Sequence, residues 1–437
     1  MIKLPKEVTK IIKTLENERF EAYATGECVR DTLAGLKPFG WDVSTSAKPE
    51  DLKRLFPDSE VINQRLGVFR IEKIQEMTDE QGEVCGEEGL IIDIASYRKN
   101  EDGKVGSRMV LADNISEDLG CRVFTANAIA DNTYSNVDPF GGVKDIEKKL
   151  VRTIGSAEEI FTTDPIRMMQ AIEVVGDLGF DLQKDVFAAI AKNFRLLEKI
   201  PVEKVRDSFI KIMASANAGK GLSLIIESGI IRVILGDETF NKLSRRERSD
   251  LKILSQNIDR SKQVEERRLG LLYSIINKKR SLASIDRMKY EPETHQLLVD
   301  AATDMAKLYF TSQPPQLKKF IYGRGWDRYN YLANLEKAQR IVFDYHSDTK
   351  IKSKMYMVDE INRTGDVVFE KDLVIDANDL IEAGICTADN VGKMLSMLTE
   401  ALHIKPNLNT RKDLFKLAKK YKRNKLAALT RGVKWVR

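Results

Sequence analysis

Gly26 stands between a short apolar run, residues 20–24, and a stretch, residues 27–36, that gathers Val29, Leu33 and Leu36 on one side. This reads as a strand, a turn and a helix start, and the free N–H groups at such a start suit a phosphate. The next strand, Trp41-Asp42-Val43-Ser44, carries a carboxylate, the oxygen ligand that a hard cation such as Mg²⁺ takes. Asp93 lies inside the apolar run Leu90-Ile91-Ile92-Asp93-Ile94-Ala95. Burying an unpaired acid there is costly, so Asp93 sits at an edge, forms an ion pair or binds a ligand. Asp164 and Arg167 are three apart and share a helical face. A carboxylate accepts and a guanidinium donates, which matches the amino group and ring nitrogen common to cytosine and adenine but not to uracil or guanine. A plain helix-start ion pair satisfies the same spacing.

The elements that must position these groups follow from periodicity. Residues 1–19 read as a lead-in helix with Val8, Ile11, Ile12 and Leu15 on one face. Residues 67–71 and 90–95 read as further strands, with Asp79-Glu80-Gln81-Gly82 as a solvated hairpin loop between them. Residues 99–116 are polar and glycine-containing and read as a mobile loop. Residues 118–128 fit an amphipathic helix start, and Asp138-Pro139-Phe140-Gly141-Gly142 a turn before a short helix at 145–150. Thr163 or Asp164 can cap the helix that follows, with Pro165 in its first turn. From residue 185 onward the pattern is helical almost throughout.

The segment 20–57 resembles the signature of the tRNA CCA-adding enzyme and poly(A) polymerase family of nucleotidyltransferases, GG-x-VRD-x-LLG followed by D-x-D-x-x-T. Here it reads Gly26-Glu27 and Val29-Arg30-Asp31, then Gly40-Trp41-Asp42. Three later stretches are also similar to family motifs: residues 118–128, 138–142 and 161–171. The resemblance implies that Asp42 and Asp93 bind metal and act in catalysis. It implies that Gly26, Arg30, Arg122 and Asn127 hold triphosphate and sugar, and that Asp164 and Arg167 read the base. Six motif positions depart from the family, at Glu27, Gly40, Cys121, Val123, Thr163 and Gln170. The Gly40 departure removes a metal-binding carboxylate, and Glu27 places a negative charge in the phosphate turn. Weaker metal and nucleotide binding and slower chemistry are the expectation.

A chain of 437 residues should hold two to four domains. No apolar run approaches a membrane span, and the N-terminus lacks a signal-peptide pattern. Cys28, Cys85, Cys121 and Cys386 have no metal-ligand spacing, which fits a reducing cytoplasm. Ala218-Gly219-Lys220-Gly221 is no P-loop, and His295, His346 and His403 lie far apart with no His-Asp dipeptide. The net charge of +5 is small for the length, but the C-terminus is strongly basic. Lys416, Lys419, Lys420 and Arg423, near Tyr421 and Trp435, could track an RNA backbone or form a solvated face.

The expected fold class is α+β, with a small polymerase-β-like head followed by an all-helical neck, body and tail. The boundaries are 1–130, 131–200, 201–360 and 361–437. The expected function is template-independent addition of C and A to the 3′ end of tRNA, from CTP and ATP with Mg²⁺. Two alternatives stay open, a catalytically silent tRNA-binding paralogue and a poly(A) polymerase-like enzyme.

Overall fold

The structure is a computed structural model and describes residues 2–78, 84–103, 107–132, 134–345 and 347–430. The loop expected at Asp79-Glu80-Gln81-Gly82, together with Gly106, His346 and Trp435, lies outside the described residues. The chain divides into two compact units. One comprises residues 1–242 with 287–289, the other 243–286 with 290–437.

The first unit opens with α1, Lys6–Asn17, which buries Val8, Ile11, Ile12 and Leu15, the stripe expected of an amphipathic helix. β1, Ala22–Thr25, then runs into Gly26 and α2, Glu27–Leu33. The helix stops three residues short of the expected Leu36, because Gly35 adopts φ +77° and turns the chain. β2, Trp41–Thr45, buries every residue except Asp42. α3, Pro49–Leu55, and β3, Glu60–Asn63, lead to a long hairpin of β4, Val68–Thr78, and β5, Val84–Ser96.

These strands form a seven-stranded sheet completed by β8 and β9, in the order β3-β4-β5-β2-β1-β8-β9, where β8 is Ala130–Asp131 and β9 is Asn136–Val137. β2 and β5 are parallel, and the other pairs are antiparallel. The register aligns Arg70 with Asp93, Asp93 with Asp42, and Asp42 with Thr25. Cross-strand partners project to one face, so these four side chains form a row across the sheet.

The stretch expected as a loop at 99–116 is partly ordered. β6, Arg98–Asn100, pairs with β7, Met109–Leu111, and Ile115–Gly120 forms α4. Residues 118–128 therefore hold a helix end rather than a helix start, followed by a single 3₁₀ turn at Thr125–Asn127. The Asp138 carboxylate accepts the N–H groups of Gly142 and Val143 and caps α5, Gly142–Glu147. Helices α6, Ala157–Thr163, and α7, Ile166–Leu178, follow as two separate elements. Asp164 ends α6 at φ −134° and does not cap α7, whose N-cap is Pro165. The Asp-Pro junction disfavours a continuous helix, because proline restricts the residue before it.

The second unit is helical. A buried ion pair, Glu336 with Lys354, and a half-buried one, Asp300 with Arg328, join its long helices. Its C-terminal part packs Val391, Leu398 and Leu402 of the helix Val391–Ile404 against Leu414 and Ala418 of the last helix, Arg411–Thr430. Among the described residues no helix is long and apolar enough to cross a membrane.

Candidate active site

A cavity of about 640 Å³ opens in the first unit between Asp42, the member of the sheet row that lines it, and α7. Asp42, Arg98, Arg122 and Asn127 line one side. Arg167, Gln170, Glu173 and Asp177 of α7 line the other, with Lys211 of the helix Val202–Ala214. The α7 residues recur at helical spacing, and the opposite stripe, Met168, Ala171, Ile172 and Val175, is buried in the core. The hydrophobic period of α7 thus aims its polar face at the sheet.

The phosphate turn is tightly built. Gly26 has φ +82°, and a Cβ placed there would lie 3.1 Å from Arg122 Nη1 and 3.3 Å from Asp42 Oδ2. Only glycine takes this conformation without strain and leaves the guanidinium and carboxylate where they are. Arg122 donates from Nη2 to Asp118 Oδ2 (3.3 Å) and Thr25 Oγ1 (3.4 Å), while its buried Nε finds no partner among the described residues. Burial opposes its charge, but Asp118 and Asp42 outweigh that and raise its pKa. Asp118 is wholly buried and also accepts Ser44 Oγ and Arg98 N–H, so one acid anchors β2, β6 and Arg122 together. A buried donor beside a helix N-terminus is a site for an anion.

Asp42 and Asp93 are neighbours on the same face. Burial lifts the Asp42 pKa first. Arg122 pulls it down, and Asp93 and Glu27 push it further up. Asp93 has a second partner. Arg70 Nε donates to its Oδ1 and Nη2 to its Oδ2, both at 2.8 Å, so the ion-pair alternative holds for this acid. Among the described residues no group of three His, Cys, Asp or Glu gathers as a metal site. The donor set fits one Mg²⁺ ion at Asp42, since that ion takes one or two carboxylates plus phosphate oxygens. It does not fit two. Gly40 leaves room for the missing acid, as a Cβ there would meet Ile91 O at 3.4 Å and nothing closer.

The remaining expected residues fall into two groups. Arg30 is buried, donates to Asp31 Oδ1 (2.8 Å) and Asn127 Oδ1 (3.0 Å), and does not line the cavity. It acts there through Asn127, whose amide it orients. Arg167 lines the cavity and donates from Nε to Asp164 Oδ2 (2.9 Å) and from Nη1 to Gln170 Oε1 (2.7 Å). Gln170 thus takes one donor of the acceptor–donor couple. Arg70, Arg98, Glu173, Asp177 and Lys211 were not singled out by the sequence reading. Arg98 follows directly on the Asp93 strand, but nothing local marks Lys211. Desolvation at the cavity rim lifts Asp177 to about 6 against the pull of Arg30, with Glu27, Glu173 and Asp31 adding to the rise, although the residue stays open to solvent.

In the second unit, Lys416, Lys419, Lys420 and Arg423 are exposed on the last helix. Tyr421 packs against the tail core instead, because it falls on the face of Leu414 and Ala418.

Residues 22–152 match the family described as Poly A polymerase head domain. Residues 179–240 match a second, described as probable RNA and SrmB-binding site of polymerase A. A CCA-adding enzyme of Geobacillus kaustophilus is 34% identical over 230 residues, 52% of this chain and 54% of the relative. One from Ligilactobacillus salivarius is 31% identical over 260 residues, 57% of this chain and 61% of that protein. The chain therefore spans little more than half the length of the curated relatives it matches. Over nearly its whole length it shares the fold of the Bacillus stearothermophilus CCA-adding enzyme in complex with CTP. That likeness has TM-score 0.74 and 22% identity, covering 97% of this chain and 98% of the other. The Thermotoga maritima CCA-adding enzyme complexed with tRNA aligns with TM-score 0.62 and 18% identity, over 94% of this chain and 95% of the other. The α+β head followed by helices is the fold that these structures share.

Proposed function

From a chain that carries a Poly A polymerase head domain and shares its fold with CCA-adding enzymes, we propose a nucleotidyltransferase that adds C and A to the 3′ end of tRNA, with CTP and ATP as substrates. The observation that carries the reading is a single cavity walled by Asp42 and Arg122 on the sheet side and by Arg167 on α7. The N–H groups at the start of α2 and the unpartnered Arg122 Nε receive the triphosphate. Asn127, oriented by Arg30, meets the ribose. Arg167, which lines the cavity, keeps Nη2 for the ring nitrogen, and Asp164, which does not itself line it but holds Arg167 through Oδ2, keeps Oδ1 for the exocyclic amino group, the pattern of cytosine and adenine. The RNA 3′ hydroxyl gives its proton to solvent as its oxygen forms a bond to the α-phosphorus, the bond to the bridging oxygen breaks, and pyrophosphate leaves with that electron pair. When bound, a Mg²⁺ ion held by Asp42 supplies charge neutralisation at the reacting phosphate. The division into head, neck, body and tail at 130, 200 and 360 belongs to this reading, as do the tail contacts of Lys416, Lys419, Lys420 and Arg423 with RNA and a cytoplasmic location.

The Arg70–Asp93 ion pair and the absent acid at Gly40 favour a second reading, a relative that grips tRNA without transferring nucleotides. One assay separates the two, using the purified chain, tRNA ending before CCA, labelled CTP or ATP, and Mg²⁺. Incorporation of two C and one A is the expected result. Incorporation of A alone points to a poly(A) polymerase-like enzyme. Gly40→Asp adds a carboxylate two residues before Asp42, its Cβ in ordinary contact with Ile91 O at 3.4 Å, and is expected to raise the rate by about 10-fold or more. RNA binding with no incorporation by either protein overturns the transfer reading in favour of the silent one.

A further inference from the structure

The sheet row holds two carboxylates between two guanidinium groups. Arg70 is registered against Asp93, Asp93 against Asp42, and Arg122 Nη1 and Asp42 Oδ2 both crowd the Cβ position of Gly26. Asp93 therefore already holds a cation before any ion arrives, whereas Arg122 is shared between Asp42 and Asp118. We infer that Arg70 serves as a fixed counter-cation in place of a second divalent ion, so that the site takes one metal ion per chain and takes it at Asp42. The inference rests on the nucleotidyl-transfer reading and names its metal requirement.

The geometry supports a specific exclusion. Arg70 occupies both Asp93 oxygens at 2.8 Å, the paired fork that is the strongest arrangement between these groups. An ion bridging Asp42 and Asp93 would sit within a few ångströms of a guanidinium that never loses its proton. The repulsion from Arg70 falls on the Asp93 side of the row; on the other side Asp42 meets Arg122, Arg98 and the acid Glu27. Gly40 removes the acid that would offset it, and no third acid takes its place among the described residues. Arg70 is a positioning residue here. It acts through the Asp93 carboxylate and holds it turned toward β4.

The test counts Mn²⁺ ions bound by the full chain, read from the free-ion EPR signal. A CTP analogue with a methylene bridge between its α and β phosphorus atoms is present, and each point is read against the same mixture without protein. The wild-type chain is expected to bind one ion. Arg70→Met removes the fork and is expected to bind two, the second at least about 10-fold tighter than the wild-type chain binds any second ion. Arg70→Lys keeps the charge and is expected to stay at one, which a purely structural role for Arg70 does not predict. Any count other than one on the wild-type chain, or one on folded Arg70→Met, overturns the inference; the wild-type count decides alone if Arg70→Met fails to fold. The count needs no turnover. A chain that binds one ion but cannot extend tRNA loses the transfer reading, whereas a chain that extends tRNA with two ions bound loses this inference alone.

Discussion

Asp177 brings a negative charge to the wall that a triphosphate must approach. Its pKa is raised to about 6, so it is charged at neutral pH and protonated as the pH falls through that value. Protonation removes a repulsion, and the sign follows directly: nucleotide affinity rises toward lower pH. The γ-phosphate also takes up a proton in this range, so the measurement is the difference between the wild-type chain and Asp177→Asn. Between pH 7.5 and 5.5 the wild-type chain should gain roughly threefold more in CTP affinity than the variant. A parallel pH dependence in the two proteins would remove Asp177 from the account. At this scale the sequence was partly legible. Asp42, Asp93 and Arg167 announce themselves by charge in an apolar or patterned context, and Arg122 only through its resemblance to a family motif. Arg70 does not, because its meaning comes from lying opposite Asp93, and register is not written in a single strand.

The elements show how little freedom some of these contacts leave. Gly142 begins α5 where the chain crosses the Thr125–Asn127 turn, and a Cβ on it would lie 2.1 Å from Thr125 O and 2.9 Å from Ile129 Cγ1. The obstacle is backbone, so it cannot rotate away. Gly142→Ala should destabilise the first unit by roughly 3 kcal/mol, the upper end of overpacking costs. A denaturant melt of the variant superposing on wild type would refute this. The same junction shows why Asp138-Pro139-Phe140-Gly141-Gly142 is structural: its acid caps α5 and its glycine admits the turn that carries Asn127. Helix boundaries were less legible. The helix expected to be capped by Thr163 or Asp164 is instead preceded by Pro165 at its N-cap, with Asp164 closing α6, and that junction brings Asp164 within reach of Arg167.

For the whole molecule, affinity for RNA should depend on the exposed basic face of the last helix. Replacing Lys416, Lys419, Lys420 and Arg423 together with glutamine is expected to weaken tRNA binding and to flatten its dependence on salt. Each lost phosphate contact lowers the slope of log K against log salt by about 0.7–0.9. Binding measured across salt concentrations gives that slope directly. An unchanged slope would make this face a merely solvated one. Leu414 and Ala418 hold the helix from its other side, so the substitutions leave the tail core intact.

Periodicity and residue type, read along the chain, determined the main strands and helices of the first 100 residues, the helical remainder, and the placement of Asp42, Asp93, Asp164 and Arg167, while the resemblance to family motifs supplied the polymerase-β-like head and the roles of the other site residues. Those signals are local, a hydrophobic repeat or a charge among apolar neighbours, and they survive in one dimension. Only the tertiary structure decided which charges neutralise which. Arg70 and Asp93 are 23 residues apart, Arg30 and Asn127 are 97 apart, and both pairs exist because strands and turns met in one register. Coulomb energy depends on distance in space, and sequence separation says almost nothing about that once the chain has folded.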